Sequence, residues 1–136
     1  MDYIKITIIR TQSPQGHNIN DLLRWFGASL GLFNVRDKDS SCFRIFVSLV
    51  RDLQTGSKGL TSDEMAELTG LTRGTAVHHL NKLMDNGIII TSGNKYYLKV
   101  NSLEELVQEI KNNLINTLNS LSDIAEHLDS QLGLKK

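Results

Sequence analysis

The sequence predicts an α+β fold dominated by helix, with one compact body followed by a long C-terminal helix. Three patterns predict it. Apolar residues recur at helical spacing in short segments between residues 20 and 86, each closed by glycine or a polar cluster. Two short β-forming runs bracket Ser92-Gly93-Asn94. Residues 102–132 contain neither glycine nor proline, and Leu103, Val107, Ile110, Leu114, Leu118, Leu121, Ala125, Leu128 and Leu132 step by three or four along one stripe. At 136 residues the chain suffices for one domain with a core plus an appended element, and is too short for two independent domains.

The elements follow in chain order. Ile4, Ile6 and Ile8 alternate with Tyr3, Lys5 and Thr7, so residues 3–10 read as a strand, and the turn formers of 11–18 as a loop. Asn18 or Asn20 is placed to cap a helix carrying Leu22, Leu23, Trp25, Phe26 and Leu30 and ending near Gly31. Asp39 or Ser40 is placed to cap the next helix. Its Phe43, Phe46, Val47, Leu49, Val50 and Leu53 make it central to the core, and it ends around Gly56. Thr61 followed by Glu64 is a capping box, opening a short helix through Met65, Ala66 and Leu68 that stops at Gly70. After a tight turn, Leu71 or Thr72 starts a further helix with Ala76, Val77, Leu80, Leu83 and Met84 as its buried stripe and Asn86-Gly87 as its stop. Ile88–Thr91 and Lys95–Val100 read as the two strands of a hairpin. In the last segment one helix would span ~45 Å at 1.5 Å per residue. Its apolar spacing averages nearer ~3.6 than ~3.5 residues, and the step 110–114–118 breaks a strict heptad.

Composition narrows the function classes. A chain 40% hydrophobic and 22% charged is ordinary globular protein, neither disordered tail nor disulfide scaffold. No stretch approaches the ~20 apolar residues of a membrane span, and Met1–Lys5 lacks the basic start and apolar run of a signal peptide. The single cysteine, Cys42, makes no intrachain disulfide or thiolate-rich metal site alone; near the start of an apolar helix it reads as a small buried hydrophobe. A cytoplasmic protein without membrane partner, metal or cofactor is expected. Enzymatic activity is not, since there is no phosphate-cradling glycine loop, metal-ligand set or nucleophile–base pairing.

Fifteen basic and fifteen acidic residues balance, but they are segregated. Residues 1–60 carry +3, 61–71 carry −3, 72–101 carry +3 and 102–136 carry −3. The second basic block coincides with the helix after the tight turn and the hairpin.

Residues 41–100 thus run helix, short helix, tight turn, helix, hairpin, the order of a helix-turn-helix with a wing. Small Ala66 suits a close helix crossing, Gly70 the turn, and Val77 and Leu80 anchor the second helix. At ~100° per residue its outward face carries Thr75, His78, Lys82 and Asp85, with His79 at the edge. Thr72, Arg73 and Gly74 sit at its N-terminus, where free N–H groups and the macrodipole favour a phosphate. Arg73 reaches a phosphate or a guanine edge, Thr75 and His78 read base edges, and Lys82 lies along the backbone. In the wing, 91–96, Asn94 and Lys95 sit at the tip for a backbone or minor-groove contact, and Tyr96 offers a hydroxyl.

The stretch from Leu60 to Ile89 resembles winged-helix repressors of the ArsR and MarR kinds, particularly archaeal members. The likeness lies in a short helix, a turn, and a helix ending in the pattern of His79, Leu80, Leu83 and Gly87 followed by apolar residues. It covers residues 41–100 and does not extend to 1–40. It implies a dimeric transcription factor on double-stranded DNA with recognition helix 72–86. Metal-sensing ArsR-type repressors carry a cysteine pair in the preceding helix; Ser62–Leu68 has none, so metal sensing there is not expected.

The chain divides accordingly into 1–40, a strand and helix extending the core or a dimer contact; 41–100, the DNA-binding domain; and 101–136, a dimerisation helix. The stripe of 103–132 is too long for a ~60-residue winged unit to cover, which points to a homodimer ahead of the helix folding back on its own domain. Trp25 and Phe26 read as core or dimer contacts, and His17 and His127 as surface. His78 and His79, ~100° apart on a helix, are ill placed to share a metal. Winged helices also serve as protein–protein adaptors, and the zero net charge keeps that second reading open. The operator, the sign of regulation and any small-molecule effector are not legible.

Overall fold

The computed structural model describes residue 14 and residues 16–33 and 40–134. The strand expected at 3–10, the cap expected at Asp39 and half of the loop expected at 11–18 lie outside these residues. The order is α1 (Ile19–Ser29), α2 (Ser41–Gln54), β1 (Leu60–Thr61), α3 (Ser62–Thr69), α4 (Arg73–Asp85), β2 (Ile89–Ser92), β3 (Lys95–Leu98) and α5 (Leu103–Leu132). The described chain is mainly helical, with one small antiparallel sheet. It divides into two compact units, residues 1–101 and 102–136.

In the first unit α2 is the central helix. Phe46, Ile45 and Leu49 are fully buried, and Cys42 is a buried thiol donating to Leu32 O at 3.4 Å. Phe26 of α1 stacks on Phe46, with ring centroids 6.4 Å apart, and Phe33 meets Phe43 edge-on at 5.5 Å. Trp25 is instead 37% exposed. The Arg24 guanidinium lies 4.1 Å over the Phe43 ring, covering the aromatic cluster while its charge stays near solvent. Asn18 caps α1, its Oδ1 accepting from the Asp21 N–H at 2.8 Å. Ser40 occupies the cap position of α2 but does not cap it with its side chain. It is left-handed (φ 53°), and its Oγ accepts from Arg24 at 3.3 Å.

The capping box of α3 forms as the spacing predicts. Thr61 Oγ1 accepts from the Glu64 N–H at 3.1 Å, and Glu64 Oε1 accepts from the Thr61 N–H at 3.0 Å. The buried residues of this helix are Met65 and Thr69, one turn apart. Leu68, expected with the apolar set, is 64% exposed. Thr69 takes the core place because its polar groups are satisfied there. Its hydroxyl donates to Met65 O at 2.7 Å, and its carbonyl accepts from Arg44 Nη1 of α2 at 2.7 Å.

The hairpin is joined by a third strand. Its sheet has three strands in the order β1-β3-β2, with Leu60 opposite Tyr96 and Thr61 opposite Lys95. The strands bounded at 88–91 and 95–100 by pattern run Ile89–Ser92 and Lys95–Leu98, joined by the two-residue turn Gly93-Asn94. Gly59 brings the chain into β1 with φ +84°, and a Cβ there would stand 2.5 Å from the Tyr97 ring. Its N–H donates to Asp52 Oδ2 at 3.0 Å, so a carboxylate only 9% exposed receives a backbone partner.

In the second unit Ser102 caps α5 by accepting from the Glu105 N–H at 3.0 Å, with Glu104 and Glu105 in the first turn beside the positive end of the dipole. Thirty residues later the helix closes at left-handed Gly133, and Leu134 N–H reaches Asp129 O at 3.0 Å. Leu106 and Ile110 are buried. From Lys111 to Leu134 none is buried. Among the described residues no helix is long and apolar enough to cross a membrane.

Candidate nucleic-acid interface

Helices α3 and α4 and the turn between them build the candidate surface. Gly70 ends α3 with φ +74°, Leu71 follows, and Thr72 caps α4 by accepting from the Thr75 N–H at 3.2 Å. The Thr72 hydroxyl also donates to Thr75 Oγ1 at 2.9 Å, leaving the Thr75 hydroxyl proton for another acceptor. The first intrahelical bond here is Ala76 N–H to Thr72 O at 2.9 Å, so the N–H groups of Arg73 and Gly74 lie outside the ladder. A Cβ on Gly74 would meet nothing within 4 Å. Packing within the chain therefore does not require glycine there, although glycine is a poor helix former.

The faces of α4 divide largely as its periodicity predicts. Ala76, Leu80 and Leu83 are fully buried, while Val77 and Met84 are half-buried. His78, Lys82 and Asp85 are exposed, and Thr75 and His79 are half-buried. The imidazoles of His78 and His79 meet edge-on, 5.3 Å between centroids and 67° between planes. Among the described residues no group of three His, Cys, Asp or Glu side chains is placed to hold a metal. His17 and His127 are exposed.

Arg73 is exposed but not unattached. Its Nε lies 3.3 Å from Asp63 Oδ1 and donates to Ser62 Oγ at 3.3 Å, tying the first residue of α4 to the first turn of α3. The two side chains are 70% and 81% exposed, and such a pair contributes about 0–1 kcal/mol. A phosphate could therefore displace Asp63 at small cost. Neither Ser62 nor Asp63 is in the sequence-predicted set. The pair spans a turn and is ten residues apart, so no helical spacing signals it.

On the hairpin, Asn94 is exposed at the turn, and Lys95 and Tyr96 are half-buried. Glu64 is held below its ordinary carboxylate range, chiefly by the Thr61 N–H, then by the Thr61 hydroxyl, with Lys95 adding a smaller coulombic share. Both predicted cations nearest α3, Arg73 and Lys95, thus have an acidic neighbour on that helix. Lys82 stands on the outward face of α4. The chain matches no family model, no curated protein and no solved structure, so a functional reading rests on these residues themselves.

Proposed function

We propose that this chain is a sequence-specific double-stranded DNA-binding transcriptional regulator that acts as a homodimer. In this reading α2–α4 and the hairpin form a winged helix-turn-helix. Two α4 helices enter successive major grooves ~34 Å apart on a pseudo-palindromic site, and the wings contact the flanking backbone or minor groove. The observation that carries the reading is α4. It is anchored by fully buried Ala76, Leu80 and Leu83, while Arg73, Gly74, His78 and Lys82 stay exposed. A glycine in the first helical turn with open space above it suits a backbone approached closely by phosphate. The resemblance of residues 60–89 to ArsR and MarR repressors supports the same assignment.

Roles follow from chemistry. Arg73 and Lys82 supply salt-dependent affinity, and Thr75 and His78 supply base discrimination. No catalytic role, cofactor or metal is proposed. The test is an anisotropy titration of duplex DNA against salt. Arg73→Ala/Lys82→Ala is expected to weaken binding to all sequences and lower the salt slope by about 2, roughly one for each phosphate no longer neutralised. His78→Ala should lower the preference for specific over random duplex. Binding indifferent to salt and to the double substitution would overturn the reading.

A second reading, a protein–protein adaptor, draws on the Arg73–Asp63 pair and the zero net charge, which together mute the positive field of this face. It predicts that salt-insensitive outcome.

A further inference from the structure

We infer that α5 pairs antiparallel with α5 of a second copy, through residues 114–132 in one register. The inference rests on the homodimer of the proposed function but not on DNA binding. The stretch 111–134 lacks any buried residue, yet Leu114, Leu118, Leu121, Ile124, Leu128 and Leu132 are each 47–66% exposed along one side. Asn112, Asn113, Asn116 and Asn119, with Thr117, Ser120 and Ser122, are weak helix formers. An unpartnered helix of this composition is marginal in water, so the helical state implies a covered stripe.

The stripe itself specifies the occupant. Past Leu114 the spacing becomes 4-3-4-3-4 through Leu118, Leu121, Ala125, Leu128 and Leu132, a regular coiled-coil seam. In a parallel pair, like positions meet. Ala125 would face Ala125 of the second copy, a gap between leucine layers, and Ile124 would lie beside Asp129. Antiparallel pairing sets Leu114 against Leu132, Leu118 against Leu128 and Leu121 against Ala125, so large meets small at the narrow layer. It also brings Ile124 beside Ile124 across the two-fold axis.

Charge favours the same polarity. Glu126 and Asp129 lie in the C-terminal half of 114–132, whereas Leu114–Ser122 carries no charge. Antiparallel pairing sets acidic half against neutral half and opposes the helix dipoles. Shifting the register by one heptad leaves two of the six layers empty. Two copies bury on the order of 1,000 Å² of apolar surface, the lower bound expected of a specific interface.

Variants with one added cysteine test this under mild oxidation, without DNA, with the unsubstituted chain and its buried Cys42 as control. Ile124→Cys is expected to cross-link to itself. Leu114→Cys and Leu132→Cys should each fail alone and cross-link when mixed, because each lies ~27 Å along the axis from its own copy, against the ~7 Å limit of a disulfide. Self-cross-linking of Leu132→Cys would overturn the antiparallel assignment. A monomer by sedimentation, with circular dichroism showing each variant folded, would overturn the pairing. An antiparallel dimer that ignores DNA would leave this inference standing and remove the DNA reading instead.

Discussion

Leu80 of α4 and Leu121 of α5 sit on helices with the same kind of apolar stripe, yet the first is fully buried and the second 57% exposed. The first unit meets its stripes internally. Leu80 and Leu83 of α4 and Met65 of α3 share a core with α2, and even buried polar groups such as Asp52 and Thr69 have partners there. Beyond Ile110, α5 presents its stripe to solvent. A periodic pattern identifies the face that must be covered and says nothing of what covers it.

The most direct test of this contrast is one substitution made in both helices. Leu80→Ala is expected to destabilise the first unit by about 2–5 kcal/mol at any protein concentration, by lost transfer energy and a cavity. Leu121→Ala should change that unit's stability by less than about 0.5 kcal/mol, its effect being seen as weaker, concentration-dependent association. Denaturant melts at two concentrations distinguish the outcomes, and a concentration-independent loss of several kcal/mol at Leu121 would refute the contrast.

Two glycines extend the contrast within the first unit. Gly59→Ala combines a left-handed backbone with a Cβ against the Tyr97 ring and should cost about 1–3 kcal/mol. Gly74→Ala meets open space in a helix, so it should stabilise by about 0.5–1 kcal/mol while weakening duplex binding. Thermal melts and anisotropy together read both. Stabilisation with unchanged DNA affinity would remove the close approach assigned to Gly74.

Weaker still is the pH dependence of the α3 cap. Glu64 is lowered in the folded chain from its ordinary 4.5. Its ionised form therefore contributes stability above the unfolded value, and this is lost as pH falls through the lowered folded value. Glu64→Gln keeps the cap shape without the titration. The stability gap between the two chains should be constant near neutrality and shrink on acidification. A gap that widens in acid would show the wrong sign.

Much of the fold is legible because its signals are local. Thr61 and Glu64 three apart announce the capping box, and Ala76, Leu80 and Leu83 announce the inner face of α4. The candidate face follows by subtraction, and His78, Lys82 and Asp85 are exposed accordingly. His79, expected at the edge of that face, is half-buried, and Thr75, expected on it, is half-buried as well. Leu68 and Thr69 exchange the places that hydrophobicity assigns them, because a threonine whose hydroxyl bonds to its own helix, and whose carbonyl meets Arg44, enters the core without an unmet polar group.

The order of helices in the described chain, the stops at Gly70 and Asn86-Gly87, the hairpin turn and the long glycine-free α5 can all be read from the residues alone, since caps, turns and periodicity act within a few residues. Three features belong to the tertiary structure: Leu60-Thr61 is a third strand, Arg73 leans on Asp63, and Trp25 is exposed where Phe26 stacks on Phe46. Each depends on groups far apart in the chain. A two-residue strand has no periodicity to read, and an ion pair across a turn has no fixed spacing. Whether a side chain is covered depends on which neighbours the fold brings to it.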